Sequence, residues 1–391
     1  MAANEGADST PAQATASASA SSPRAVSSPV PAPASAPSPS PAPAPAPAST
    51  GVPATATAPI EVDAAADAAA QELADRSDAD SAFESQISAY TASLSSSVVD
   101  YPIEHGRRYH AFRGGAYPMP NDDQEIARLD LTHLLITKTI GDLFLCPIDT
   151  DQVRRVLDMG TGTGIWAIEM GDLLPGAEIL GNDLSPIQPA WLPPNVKFEV
   201  DDIESPWLHE TPFDFIFLRY MTACIVDFNK LAQNTYDALN PGGWAEFQDF
   251  DLQYYSDDGT LKEHHHTYIW ITTLLDAMRR TGREPSPGPH HGAHLRNAGF
   301  QNVKHHRYKI PIGAWAKDPH MKDIGMCNMA QIMDGLEAFS LRVYCGFLKW
   351  SEEEVLVLLA NVRKELRAGI FHALFDYYVA YGQKPGSLRN D

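Results

Sequence analysis

Aromatic residues are missing from the first 82 positions, and the first to occur is Phe83. The same stretch carries thirteen prolines within residues 1–60, with a Pro-Ala alternation near 41–48. Without large apolar groups such a segment cannot offset its ordering entropy, so a disordered Pro/Ala/Ser-rich leader is expected over residues 1–82. Cysteine is also scarce. Cys146, Cys224, Cys327 and Cys345 stand far apart, with no CxxC pair and no metal-ligand rhythm. That pattern excludes a disulfide scaffold and a zinc module, and reads as buried thiols in a reducing compartment. No apolar run approaches the roughly 18 to 20 residues of a spanning helix, so no membrane partner is expected. No basic patch followed by an apolar core marks a secretory signal. Cations are outnumbered, 29 Lys and Arg against 50 Asp and Glu, for a net charge of −21. Binding to nucleic acid needs clustered cations, so no nucleic-acid partner is expected. Residence is read as cytoplasmic, with the nucleus open as an alternative.

Hydrophobic residues make up 44% of the chain, and the part beyond the leader is long enough for one large domain. The texture changes at Tyr101. Tyr109, His110, Phe112 and Tyr117 bring aromatics, and Asn121-Asp122-Asp123 starts a helix read to about Phe144. Short apolar runs then alternate with longer amphipathic segments. The runs are residues 155–159, 178–182, 196–200, 213–218 and 244–250, the pattern of a parallel sheet covered on both faces. Residues 303–312 and 377–381 read as further strands. Between them lies a helical stretch, 314–372, in which Ser351-Glu352-Glu353-Glu354 forms a capping box.

The strongest signal is Asp158-Met159-Gly160-Thr161-Gly162-Thr163-Gly164 at the end of the first of those runs. Glycines there let the backbone turn tightly and approach a ligand. The spacing is GxGxG, unlike the GxGxxG of a dinucleotide fingerprint. Asp158 would repel a pyrophosphate but suits an ammonium group. Asp183 ends the second run, where a carboxylate accepts from two ribose hydroxyls. Asp202 and Ile203 follow the third, an acid for the adenine amino group and an apolar wall for its ring. A ligand with an amino-acid end and a ribose but no phosphate is S-adenosyl-L-methionine.

These residues resemble the class I methyltransferase superfamily. Asn182-Asp183-Leu184-Ser185-Pro186, Asp202-Ile203-Glu204-Ser205-Pro206-Trp207 and Pro241-Gly242-Gly243-Trp244 are similar to its fungal LaeA-like branch. So are residues 106–113, 128–130 and 378–385. The resemblance covers about 100–386, taken as one methyltransferase domain. It implies an α/β, Rossmann-like fold: a seven-stranded, mostly parallel sheet whose antiparallel last strand lies between the fifth and sixth. The stretch 314–372 becomes a helical insertion before that strand. With the segment around Tyr109, it is placed as a cover over the methyl donor.

Two functions fit the branch. One is a methyltransferase acting on a small molecule in fungal secondary metabolism. The other is a LaeA-type nuclear regulator working in a protein complex. The strand ending at Leu218-Arg219-Tyr220-Met221 lacks the Asn/Asp-Pro-Pro-aromatic loop typical of methyltransferases acting on nucleobases or glutamine, which disfavours those substrates. Catalytic residues are not assigned by pattern; His265 and Asp249 are the candidates for a general base. Adjacent histidines on one segment point in different directions, so no metal is expected.

Overall fold

The computed structural model describes residues 100–113 and 117–386; the leader expected over 1–82 lies outside the described residues. The described part begins with a small antiparallel ribbon, β1 (Ile103–Glu104) and β2 (Arg107–Arg108). Helix α1 (Asp123–Ile140) follows, its first turn held by Asp122, whose carboxylate accepts from Glu125 N. It stops short of Phe144 because Gly141 takes the left-handed cap conformation at φ 79°.

The sheet strands are β3 (Arg155–Met159), β4 (Glu178–Asp183), β5 (Val196–Val200), β6 (Phe213–Arg219), β7 (Leu239–Tyr255), β8 (Gln301–Pro311) and β9 (Leu374–Gln383). Their spatial order is β5-β4-β3-β6-β7-β9-β8. The first five are mutually parallel, and β9 runs antiparallel to both neighbours, so the expected position of the last strand is met. β7 is longer than its apolar run predicts because it continues past residue 250 to pair with β9 as far as Leu374.

Helices α2 (Ile165–Leu173), α3 (Phe228–Ala238), α4 (His266–Arg280) and α5 (His291–Asn297) connect the strands. The stretch before β9 folds as α6 (Pro319–Leu341), a π-helical turn (Arg342–Phe347) and α7 (Glu352–Ala368). The capping box of α7 forms as the sequence predicts, with Ser351 and Glu354 exchanging hydrogen bonds. These helices share one core with the sheet: Leu336 of α6 and Leu359 of α7 pack in the same cluster as Leu135 of α1, Leu274 of α4 and Tyr377 of β9. Chain order reverses at β3, which neighbours both β4 and β6. A crevice opens at such a reversal, beyond the carboxyl ends of the strands, and it positions the site.

Candidate active site

The loop leaving β3 is built on three glycines at positive φ, 66° at Gly160, 57° at Gly162 and 80° at Gly164. A β-branched side chain would be strained at each. Asp183, at the tip of β4, fixes the loop: its Oδ2 accepts from Gly162 N at 2.9 Å and its Oδ1 from Ser185 N at 2.9 Å. Each oxygen keeps a lone pair for a further donor. Burial pushes this carboxyl up to about 6.

Above the loop lies a cleft of about 1180 Å³, counted to its open mouth. Its walls come from the glycine loop, the ends of β4, β5 and β6, one face of α1, and residues Tyr117, Pro120 and Asn121. Asp183, Asp201, Asp202 and Glu204 make one side acidic, and Ile203 and Leu184 give that side apolar surface. Arg219, at the end of β6, stands in the opposite wall with His133 of α1. Its guanidinium reaches His133 Nδ1 at 2.8 Å, and His133 Nε2 lies 3.1 Å from Glu169. Arginine only donates, so Nδ1 is the accepting nitrogen and the ring proton sits on Nε2, directed at Glu169. Burial and the neighbouring Arg219 charge push His133 down to about 3, so its ring is neutral.

These features fit a nucleoside carrying an amino-acid end. Acids with spare lone pairs suit ribose hydroxyls, the apolar strip suits an adenine ring, and a pyrophosphate would meet like charge. The comparisons agree. A family model described as a methyltransferase domain matches residues 133–305. The methyltransferase pytC of Aspergillus terreus is 45% identical over 295 residues, covering 75% of this chain and 91% of that protein. The secondary metabolism regulator LAE1 of Cochliobolus heterostrophus is 35% identical, covering 72% and 94%. The protein-methionine methyltransferase laeA of Emericella nidulans is 32% identical, covering 72% and 76%. This chain belongs to the fungal LaeA-like methyltransferases. Its methyl donor is S-adenosylmethionine, which supplies an electrophilic methyl group on a sulfonium when bound.

In the methyltransferase, Gly160, Gly162, Asp183, Asp202 and Ile203 all line the cleft. Asp202 is also bridged by Arg113 at 3.0 Å, which brings the segment before α1 to the mouth. Other candidates lie elsewhere. Asp158 sits beneath the loop, where its Oδ2 accepts from Thr161 Oγ1 at 2.6 Å, so it braces the turn and is not part of the wall. Gly164 opens α2 against Phe198; a Cβ there would stand 2.5 Å from the ring.

Tyr109 is displaced from its expected role. It is fully buried between the ribbon and the helical segment, with the Arg342 guanidinium 4.5 Å over its ring, and it does not line the cleft. Its neighbour in sequence, Tyr117, takes the cleft position instead. Tyr109→Ala should therefore lower stability by about 3 to 5 kcal/mol while donor affinity in the folded fraction stays within twofold. Urea denaturation and calorimetry on one preparation check both. Trp315, in the stretch expected to form the cover, is 37% exposed and its ring lies tilted against His372.

Neither candidate base reaches the cleft. Asp249 is fully buried, and its oxygens accept from Met221 N, Thr222 Oγ1 and Phe250 N, bracing the loop after β6. His265 lies against Phe371 and accepts from Lys262 N, a turn of helix away from the cavity-lining part of α4. The sequence reading missed Arg219 and His133. A charged residue ending the otherwise apolar run Phe215-Ile216-Phe217-Leu218 was the available signal for the first.

Proposed function

We propose that the methyltransferase acts on a neutral, largely aromatic small molecule. A second cavity, of about 630 Å³ counted to its open mouth, carries this reading: it adjoins the donor cleft, and none of its lining side chains is charged. Phe250 and Tyr254 of β7, Trp270 and Leu274 of α4, Phe339 of α6 and Phe375 of β9 are among its lining side chains. Tyr117, Tyr220 and Cys224 line both cavities, so the two meet at these side chains. A cation or carboxylate entering this chamber would lose its hydration without a partner. A polycyclic or prenylated phenol would not.

The chain's own contribution is alignment and exclusion of water. Tyr220, held at φ 61°, points its hydroxyl to Arg128 Nη1 at 3.3 Å, which leaves the phenolic hydrogen free to donate. Burial pushes the Tyr220 phenol up and the Cys224 thiol well above its ordinary value. Both stay protonated at neutral pH and neither serves as a base. The acceptor therefore brings its own lone pair or arrives ionised.

Titration with 2-naphthol and 2-naphthoate, a neutral and an anionic probe on the same ring system, tests the chamber. We expect 2-naphthol to bind at least twentyfold more tightly. Leu274→Trp, or the milder Met278→Phe, should abolish that binding while S-adenosylhomocysteine affinity holds within threefold. Equal binding of both probes, or naphthol binding that survives the filling, would end the reading. The regulator reading rests on the relatives of that name. It would gain if methyl transfer to a protein persisted in the filled variants.

A further inference from the structure

We propose that Arg219 anchors the carboxylate of the donor's amino-acid end, with His133 and Glu169 as positioning residues that aim the guanidinium. The proposal rests on the cleft being the donor site.

Four observations carry it. First, the cleft is polarised. Its acids sit at the ends of β4 and β5, on one side of the glycine loop, and Arg219 is the one Lys or Arg side chain among the described lining residues. A carboxylate is repelled by the first side and has one cation to meet on the other. Second, the guanidinium is only half used. Nη2 donates to His133, while Nη1 is buried with no hydrogen-bond partner among the described residues. No carboxylate of the described residues lies within ion-pair distance of it. A buried cation left in that state is costly unless a ligand completes it. Third, the fork is held. Phe217 lies under it with the guanidinium carbon 5.7 Å from the ring centroid, and His133, itself fixed by Glu169, bonds the other nitrogen. A planar fork with one edge fixed presents the other in a set direction, the geometry that suits a carboxylate. Fourth, the His133 tautomer follows from its partners. With its proton on Nε2 it accepts from Arg219 and donates to Glu169, so the relay leaves the arginine charged in the cleft wall.

A cycle between protein and ligand tests this. S-adenosylhomocysteine carries the carboxylate, its decarboxylated analogue keeps the amine, and 5′-methylthioadenosine lacks the amino-acid end. In the wild type, removing the carboxylate should weaken binding at least thirtyfold. In Arg219→Gln, S-adenosylhomocysteine should weaken by a similar factor, the decarboxylated analogue should bind as it does to the wild type, and 5′-methylthioadenosine should change by less than threefold. His133→Ala should weaken S-adenosylhomocysteine partway, and His133→Gln, whose amide oxygen also accepts from Arg219, should recover most of it. Equal weakening of all three ligands in Arg219→Gln would overturn the anchor, as would unchanged S-adenosylhomocysteine binding. If the arginine variant does not fold, the wild-type comparison decides: equal affinity with and without the carboxylate refutes the proposal. Failure of the wild type to bind any of the three would instead refute the donor assignment of the cleft itself.

Discussion

Arg128→Ala should destabilise the protein by about 3 to 5 kcal/mol, among the largest effects of a single change. Arg128 and Glu125 are each 1% exposed, paired at 2.6 Å through Nη2 and at 3.0 Å through Nε. Removing the arginine leaves a buried carboxylate without its cation and takes a donor from Thr132, Tyr220 and Gln331 together. The double replacement Glu125→Leu with Arg128→Met removes both charges, and should recover more than half of the loss because no unpaired ion remains. Urea denaturation of the three variants measures it. A double replacement as unstable as the single one would show that the network around Thr132 and Gln331, and not the ion pair, holds this junction. The position matters for function as well, since Arg128 reaches Tyr220 at the boundary of the two cavities.

The second large effect concerns Asp183. Asp183→Ala should raise the donor dissociation constant roughly ten- to hundredfold, about 1.5 to 3 kcal/mol, the scale of hydrogen bonds to a charged group. The same carboxylate anchors Gly162 N, so part of the loss arises from a loosened loop. Its pH dependence has a definite sign. With the carboxyl pushed up to about 6, protonation below that value removes acceptor capacity, so donor affinity should fall as pH drops from 8 to 5. Asp183→Asn should bind more weakly at pH 8 and lose most of the slope. Asp158, also pushed up by burial to about 6, titrates in the same range beneath the loop. A slope that survives in Asp183→Asn belongs to Asp158. For stability the sign is opposite: both acids hold protons in the folded state that the unfolded chain releases from its ordinary value near 3.8 upward, so stability falls with pH between there and about 6.

Much of this was legible in the residue pattern. Strands in the middle of the sheet write themselves as short apolar-rich runs, which is why β3, β4 and β6 match the sequence reading nearly to the residue, and the edge strand β5 matches through its alternation Val196-Lys197-Phe198-Glu199-Val200. The glycine loop and the acids at strand ends are local signals, each a few residues from the backbone turn that explains it. What escaped was chemistry assembled from separate elements. Arg219 and His133 lie 86 residues apart, one on a strand and one on a helix, and neither pattern shows that they touch. Tyr109 and Tyr117 have the same composition signal. One turns under the ribbon and the other into the cleft, and only the path of the backbone separates them. Asp249 and His265 have side chains able to take a proton; the hydrogen bonds that Asp249 already accepts decide otherwise.

The place of β9 bears on how the molecule is assembled. β8 touches the rest of the sheet through β9 alone, although α6 and α7 come between them in chain order. A growing chain therefore holds β8 in waiting, with the edge of β7 open, until residues 374–383 insert between them. The Lys304, Arg307 and Lys309 side chains keep the waiting strand from pairing with another copy. Closure pairs residues from 63 apart (Pro311 with Leu374) to 82 apart (Gln301 with Gln383), an expensive loop to form early, so it belongs to the late stage of folding. A nick at Gly369 or Ile370, between α7 and β9, would then release two strands and not one.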